Sequence, residues 1–286
     1  MSYLATAALE LALLGILSGI AGTLIVLRRR SFFAVALSHA TFPGGVVFAV
    51  LGWNLLLGQA LFAFVLVLLM TLLSRLPGQG RQVTSGIVLS FGFALGTLLA
   101  SLNPGLGVPV DALLVGSPLS VTAGDVAATA AVIVVGGGLL LVSWRRIVFH
   151  AFDPVGFTAS GYRAWPVEVV VTGVIAAAVV VAMPAVGAIL GVAVLIAPAA
   201  AARVLVRRLE WIPVVSAVIG VAGGLIGLWV SREFGVAAGG AIGLVLTGLF
   251  ALAFGVRRLA EFVAGLTAAG GARATVGSGI GVGGGA

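Results

Sequence analysis

An all-α, polytopic bundle of transmembrane helices is the fold class this sequence predicts, and three observations predict it. The 286 residues are 61% hydrophobic and 8% charged, with a mean hydropathy of +1.29, values foreign to a soluble globular domain. The apolar residues gather into nine runs, near 4–27, 32–52, 55–73, 83–102, 124–143, 166–183, 187–205, 211–230 and 236–256. Most match the roughly 20 residues that cross a hydrocarbon core at about 1.5 Å per residue. The third observation is where the basic residues fall. All fifteen are Arg, and with the N-terminus outside and the C-terminus inside, fourteen of them lie in the cytoplasm, leaving Arg232 outside. Short basic loops resist translocation, so the arginines test the hydropathy reading independently.

Composition also excludes whole classes of function. The formal charge of +7 does not indicate nucleic acid, because the arginines sit in pairs and triplets at helix ends and form no continuous basic patch. Acidic lipid headgroups suffice as their partners. The chain has no Cys, which removes disulfides, thiolate metal sites and thiol redox chemistry. It has no Lys, and a P-loop needs Lys to reach the β- and γ-phosphates. Nucleotide energy, if used, must come from a separate subunit.

Taken in order, the first run has no basic region before it and no small-residue cleavage site, so it is expected to be a retained span and not a signal peptide. Its Glu10, two turns from the outer end, reads as snorkelling or as an interhelical hydrogen bond in preference to a cargo ligand. The second run carries ALSHATFPGG. His39 lies about eight residues in, roughly 12 Å from the cytoplasmic end. Pro43 has no amide hydrogen, so it frees the carbonyl of His39 four residues earlier and is expected to kink the helix. Broken helices at membrane depth occur where they are buried in protein or line a cavity, and a neutral imidazole is the commonest side-chain metal ligand. Two readings of His39 therefore stand together: a metal ligand on a pore, or a core imidazole bonded to a neighbouring helix.

The fourth run ends at 103–122, where three Pro and three Gly in twenty residues suggest an outside loop dipping into the interface. Asp125 and Glu168, at the starts of the fifth and sixth runs, are expected to cap the positive helix ends. The stretch 147–165 mixes five aromatic residues with polar ones and is too amphipathic to span; its His150 is expected to be solvated. In the seventh run Pro198 frees the carbonyl of Val194, and a kink is expected there. Glycine pairs four apart, at Gly92/Gly96, Gly187/Gly191, Gly220/Gly224, Gly223/Gly227 and Gly239/Gly243, permit close helix packing. The permease domain thus covers 1–262, and the Gly-rich cytoplasmic tail 263–286 is expected to lack order. No paired-carboxylate motif, His-x-x-x-His or local Ser–His pair supports an enzyme.

The run LIVLRRRSFFAVALSHATFPGG resembles the signature of the ABC-3 family, the permeases of zinc, manganese and iron ABC importers. GIVLSFGFALG, FDPVGFTASGY and VGAILGVAVLIAPAAAARVL resemble the same family in the same order, over about residues 8–258. The resemblance implies a bacterial inner-membrane permease, with two copies working with a separate ABC ATPase and an extracytoplasmic metal-binding protein. It implies that ATP is bound by the partner subunit, that a divalent metal is the cargo and that the chain itself holds no cofactor. It also implies that Phe152, Asp153 and Pro154 dock on the ATPase and that His39 is a candidate pore ligand. One departure stands out: family members usually carry Asp four residues before this His, where this chain has Val35. Asp-x-x-x-His puts carboxylate and imidazole on one helix face; Val cannot coordinate. The alternatives are an ATP-independent secondary transporter or channel, and a permease-like scaffold that no longer transports.

Overall fold

The computed structural model describes residues 3–73, 80–103 and 116–278, with side chains described to Phe262, that of residue 81 excepted. Every regular element in it is helical. Helix α1 covers Tyr3–Leu27, α2 Ser31–Val50 and α3 Leu55–Leu73. Helix α4 is Arg81–Ser101, α5 Ala123–Phe152 and α6 the short Pro154–Ala159. Helix α7 is Ala164–Leu205, α8 Ile212–Phe234 and α9 Ala238–Ser278. Eight of these are long and apolar enough to cross a membrane.

Nine runs become eight helices because the sixth and seventh share α7. A straight helix of 42 residues would hold its ends about 60 Å apart. Instead both ends meet the same part of α1 and its exit. Thr172 accepts a hydrogen bond from Arg30 at 2.9 Å, and Arg203 donates to the carbonyl of Val26 at 3.4 Å. The chain folds back at Gly187, whose dihedrals (φ 71°, ψ 174°) are the one non-helical pair inside α7. That region of backbone space belongs almost wholly to glycine. A Cβ built on Gly191 would stand 3.8 Å from that of Ala182, although nine residues of straight helix span about 13 Å. Gly187 is therefore a turn and not half of a packing pair. Pro198, expected to mark a kink, lies within helical backbone.

The α7 hairpin is the centre of the bundle: Val171, Ile175, Ala178, Ala185, Val186, Leu195 and Ala199 are fully buried. Lipid removes the hydrophobic drive between helices, so small residues decide which faces approach. Helix α8 shows this on two sides. Gly220 lies against Gly15, and Gly224 against Leu11 of α1. Gly223 and Gly227 meet Leu246 and Ile242 of α9. Where α1 passes this contact it widens into a π-helical turn, Ser18–Gly22, and Ser18 bonds back to the carbonyl of Gly15 at 2.7 Å. Large side chains such as Leu141, Val142 and Leu244 point outward, as a lipid-facing surface requires.

Helix ends follow local chemistry. Thr122 and Asp125 form a reciprocal capping box at α5, as expected of Asp125. Helix α8 stops at Gly235, left-handed at φ 63°. The backbone of α9 runs on as helix to Ser278, into the stretch expected to lack order; residues 279–286 lie outside the described residues. So does most of the Pro-rich connection, 104–115.

Candidate functional site

Two places gather the chain's polar chemistry. The first is the middle of α2. Its helical run stops at Thr41 (φ −79°, ψ −9°) and restarts at Phe42, with Pro43 in the first turn of the new segment. Thr41 is buried, its hydroxyl donating to the carbonyl of Ser38 at 3.2 Å and lying 3.3 Å from the sulfur of Met183. Glycine brings neighbours tightly around this break. Gly44 of α2 and Gly58 of α3 press backbone on backbone. A Cβ on Gly92 of α4 would come within 2.6 Å of the Cα of Ala40, and Gly96 abuts the Phe42 ring. Gln59 of α3 is buried beside Gly45, and its Oε1 has no hydrogen-bond partner among the described residues.

His39 is half-buried, as is Val35 one turn earlier, and the ring of Phe93 on α4 meets it edge-on at 6.2 Å. Among the described residues, no three His, Asp or Glu side chains gather as a metal site. One copy of the chain therefore offers a cation one imidazole here, not a closed cage.

The second place is the end of the bundle where α1, α5 and both ends of α7 meet. The expectation that Glu168 is a helix cap is corrected here. Its carboxylate faces two guanidiniums, Oε1 meeting Nη1 of Arg28 at 3.2 Å and Oε2 meeting Nη2 of Arg30. Arg30 also donates to Thr172, one turn further along α7. His150, expected to be solvated, is 12% exposed, and its Nδ1 lies 2.9 Å from Nη1 of Arg28. A guanidinium only donates, so that Nδ1 accepts and carries no proton. The approach of the same ring to Glu168, at 3.9 Å, is then proximity and not an ion pair. Sequence spacing could not show this cluster, because Arg28 lies 122 residues from His150 and 140 from Glu168. The available sign was an acidic residue beginning a span at the arginine-rich end.

Beside the cluster sits the segment 147–165. Asp153 ends α5 and caps α6, accepting from the amide of Gly156 at 2.8 Å, with Pro154 in the first helical position. Phe157 is buried, edge-on to His150 at 5.1 Å and stacked on Tyr162 at 5.1 Å. Phe152 and Val155 are about three-quarters exposed. A cavity of about 560 Å³ is lined by residues of both this corner and the charge cluster, among them Arg28, His150, Phe152, Pro154, Glu168 and Arg203. Thus Phe152, Asp153 and Pro154 are together and accessible, and they lie by the charge cluster. His39 stands apart, nine residues up α2 from Arg30, roughly 13 Å by helical rise.

Glu10 is settled in favour of an interhelical bond: it is buried, and Thr129 of α5 donates to its Oε1 at 2.7 Å.

Residues 1–257 match the ABC 3 transport family. The chain is 31% identical over 253 residues to the manganese transport system membrane protein MntC of Halalkalibacterium halodurans, spanning 88% of this chain and 87% of that one. It is 35% identical over 246 residues to the zinc transport system membrane protein TroC of Treponema pallidum, spanning 82% and 83%. Among solved structures, PsaBC from Streptococcus pneumoniae in complex with Fab superposes with a TM-score of 0.78 at 27% identity, over 89% of this chain and 91% of that one. An eight-helix, apolar bundle with this family match over nearly its whole length is a multi-pass membrane protein. The chain belongs to the ABC 3 transport family, as a membrane permease of a metal ABC import system.

Proposed function

We propose that two copies of this chain form the path of an importer for a divalent transition metal, driven by a separate ATPase and supplied by an extracytoplasmic metal-binding protein. The observation that carries this reading is a half-buried His39 just before the break in α2, an apolar helix long enough to span, inside a chain that matches the family over residues 1–257. One imidazole per copy becomes two when a second copy faces the first. Water and freed carbonyls complete a site weak enough to release its ion, which conduction requires. The departure at Val35 fits transient contact better than storage. The relatives named above divide between manganese and zinc, and both metals accept imidazole and oxygen ligands.

The end carrying Arg28, Arg30, Arg203 and Arg257 is assigned to the cytoplasm by the bias of basic loops. The exposed Phe152–Asp153–Pro154 corner lies at that end and is the ATPase contact. With no Lys, the chain cannot build a P-loop of its own.

The test is accumulation of Mn²⁺ and Zn²⁺ in proteoliposomes holding the permease, with and without its ATPase. ATP-dependent uptake is expected only in the complete complex; uptake that persists without the ATPase would point to a self-sufficient transporter. Orientation is read from a single Cys placed at position 153 in intact cells. Labelling by an impermeant reagent from outside would reverse the assignment.

A further inference from the structure

We propose that Glu168 is a positioning residue that ties the ATPase-docking corner to the helix carrying His39, so that movement of the first is delivered to the second. The proposal rests on the permease reading above and extends it to a residue that the family resemblance did not mark.

The connection can be followed atom by atom. Helix α6 is anchored by Phe157, whose ring meets His150 edge-on. His150 accepts from Arg28 through Nδ1. Arg28 also reaches the carbonyl of Ile147 on the last turns of α5, at 3.5 Å. Its Nη1 meets Oε1 of Glu168, and the other carboxylate oxygen holds Arg30. Arg30 directly precedes Ser31, the first residue of α2, and its second anchor is Thr172. A single carboxylate therefore joins the end of α1, the last turn of α5, the start of α7 and the start of α2. The pair Arg257–Glu261, by contrast, lies within α9.

Stability alone is a poor explanation for this arrangement. Burying ion pairs costs desolvation that often cancels their attraction, and their best-attested use is to fix one arrangement over another. The side chains of Arg28, Arg30 and Glu168 are only 9%, 12% and 23% exposed. The adjoining cavity is lined by Phe152 and Pro154 as well as by Arg28, Arg30 and Glu168, so the corner and the carboxylate share one open space. Arg29, between them, is the one non-glycine residue at positive φ (53°) among the described residues. Such backbone is held only where its surroundings determine it, and here the arginines on either side are both bound by Glu168.

The experiment uses the full complex with its ATPase in proteoliposomes, with Mn²⁺ and Zn²⁺ as probes. In Glu168→Gln, metal moved per ATP hydrolysed is expected to fall about tenfold, a usual size for a coupling energy. ATP hydrolysis and co-purification of the subunits are expected to persist. Glu168→Asp keeps the charge and is expected to recover part of the ratio. A fluorophore on Val47→Cys, a single thiol in a chain without Cys, reads the outer half of α2 independently of cargo. Its ATP-dependent change is expected to vanish in Glu168→Gln. An unchanged ratio together with an unchanged Val47 response overturns the proposal. A wild-type complex that moves neither ion but keeps the Val47 response, lost in Glu168→Gln, overturns the cargo reading and supports the linkage. If Glu168→Gln does not assemble, Thr172→Val removes only the second anchor of Arg30; a normal ratio and a normal Val47 response there also overturn the proposal.

Discussion

The middle of α2 and the charged corner below it solve opposite problems. Around His39 the chain packs glycine against backbone between α2 and its neighbours α3 and α4, with one half-buried imidazole and, among the described residues, no ion pair. At the corner it gathers two arginines, a histidine and one carboxylate around a cavity, with aromatic rings holding α6 in place. The first region is dense and has little room to rearrange except at the break by Thr41. The second is joined through long side chains that can keep contact while their helices shift. On the proposed reading the contrast is a division of labour, in which the packed region would set the path's shape and the polar corner would pass displacement to it.

The largest expected effect attacks the dense region. Gly92→Leu drives a side chain into the backbone of Ala40. Overpacking of this kind costs about 3 kcal/mol or more, so a loss of monodisperse protein on size-exclusion chromatography is expected. A normal elution profile would show that α4 can move away from α2. Next comes Asp153→Arg, which removes the α6 cap and reverses the charge of the docking corner. ATPase co-purification is expected to be lost while the permease itself remains folded; retained co-purification would move the contact elsewhere.

His39→Ala sharpens the contrast from the other side. Transport at limiting metal is expected to fall about tenfold, the scale seen for supporting groups of metal sites, with the complex still assembled. Unchanged uptake would make His39 a packing residue. Val35→Asp places a carboxylate one turn before the imidazole. Equilibrium dialysis is expected to show Mn²⁺ or Zn²⁺ held about tenfold more tightly, with slower release. No gain in retention would mean that the two positions do not face one ion. The smallest effect belongs to Asp153→Asn, because Asn caps a helix about as well as Asp. Co-purification close to wild type would assign the docking role to shape and capping, and a clear loss would assign it to charge.

The parts of this molecule legible in the sequence are those set by local pattern. Hydropathy located nine apolar runs, and all nine lie in helices, two of them joined at Gly187 in one of eight candidate spans. The glycine pairs at Gly92/Gly96 and Gly220/Gly224 were visible as spacing, and they do mark close approaches. Gly187/Gly191 had the same spacing and a different use, since spacing does not report φ. Asp125 was readable as a cap because its partner Thr122 is three residues away. Glu168 was misread for the converse reason: its partners are 138 and 140 residues distant. His150 looked solvated for want of any nearby partner in the chain.

By itself the sequence determined a helical membrane bundle, the apolar stretches that build it, the one imidazole within them and the need for an outside source of ATP. Each of these follows from the solvation of side chains and backbone over a few turns. Only the tertiary structure decided that α7 doubles back through Gly187, that Thr129 donates to one carboxylate oxygen of Glu10, and that a single carboxylate binds two arginines beside the Phe152–Pro154 corner. Those depend on which surfaces meet across the bundle, and contact between residues a hundred positions apart leaves no periodicity in the chain to read.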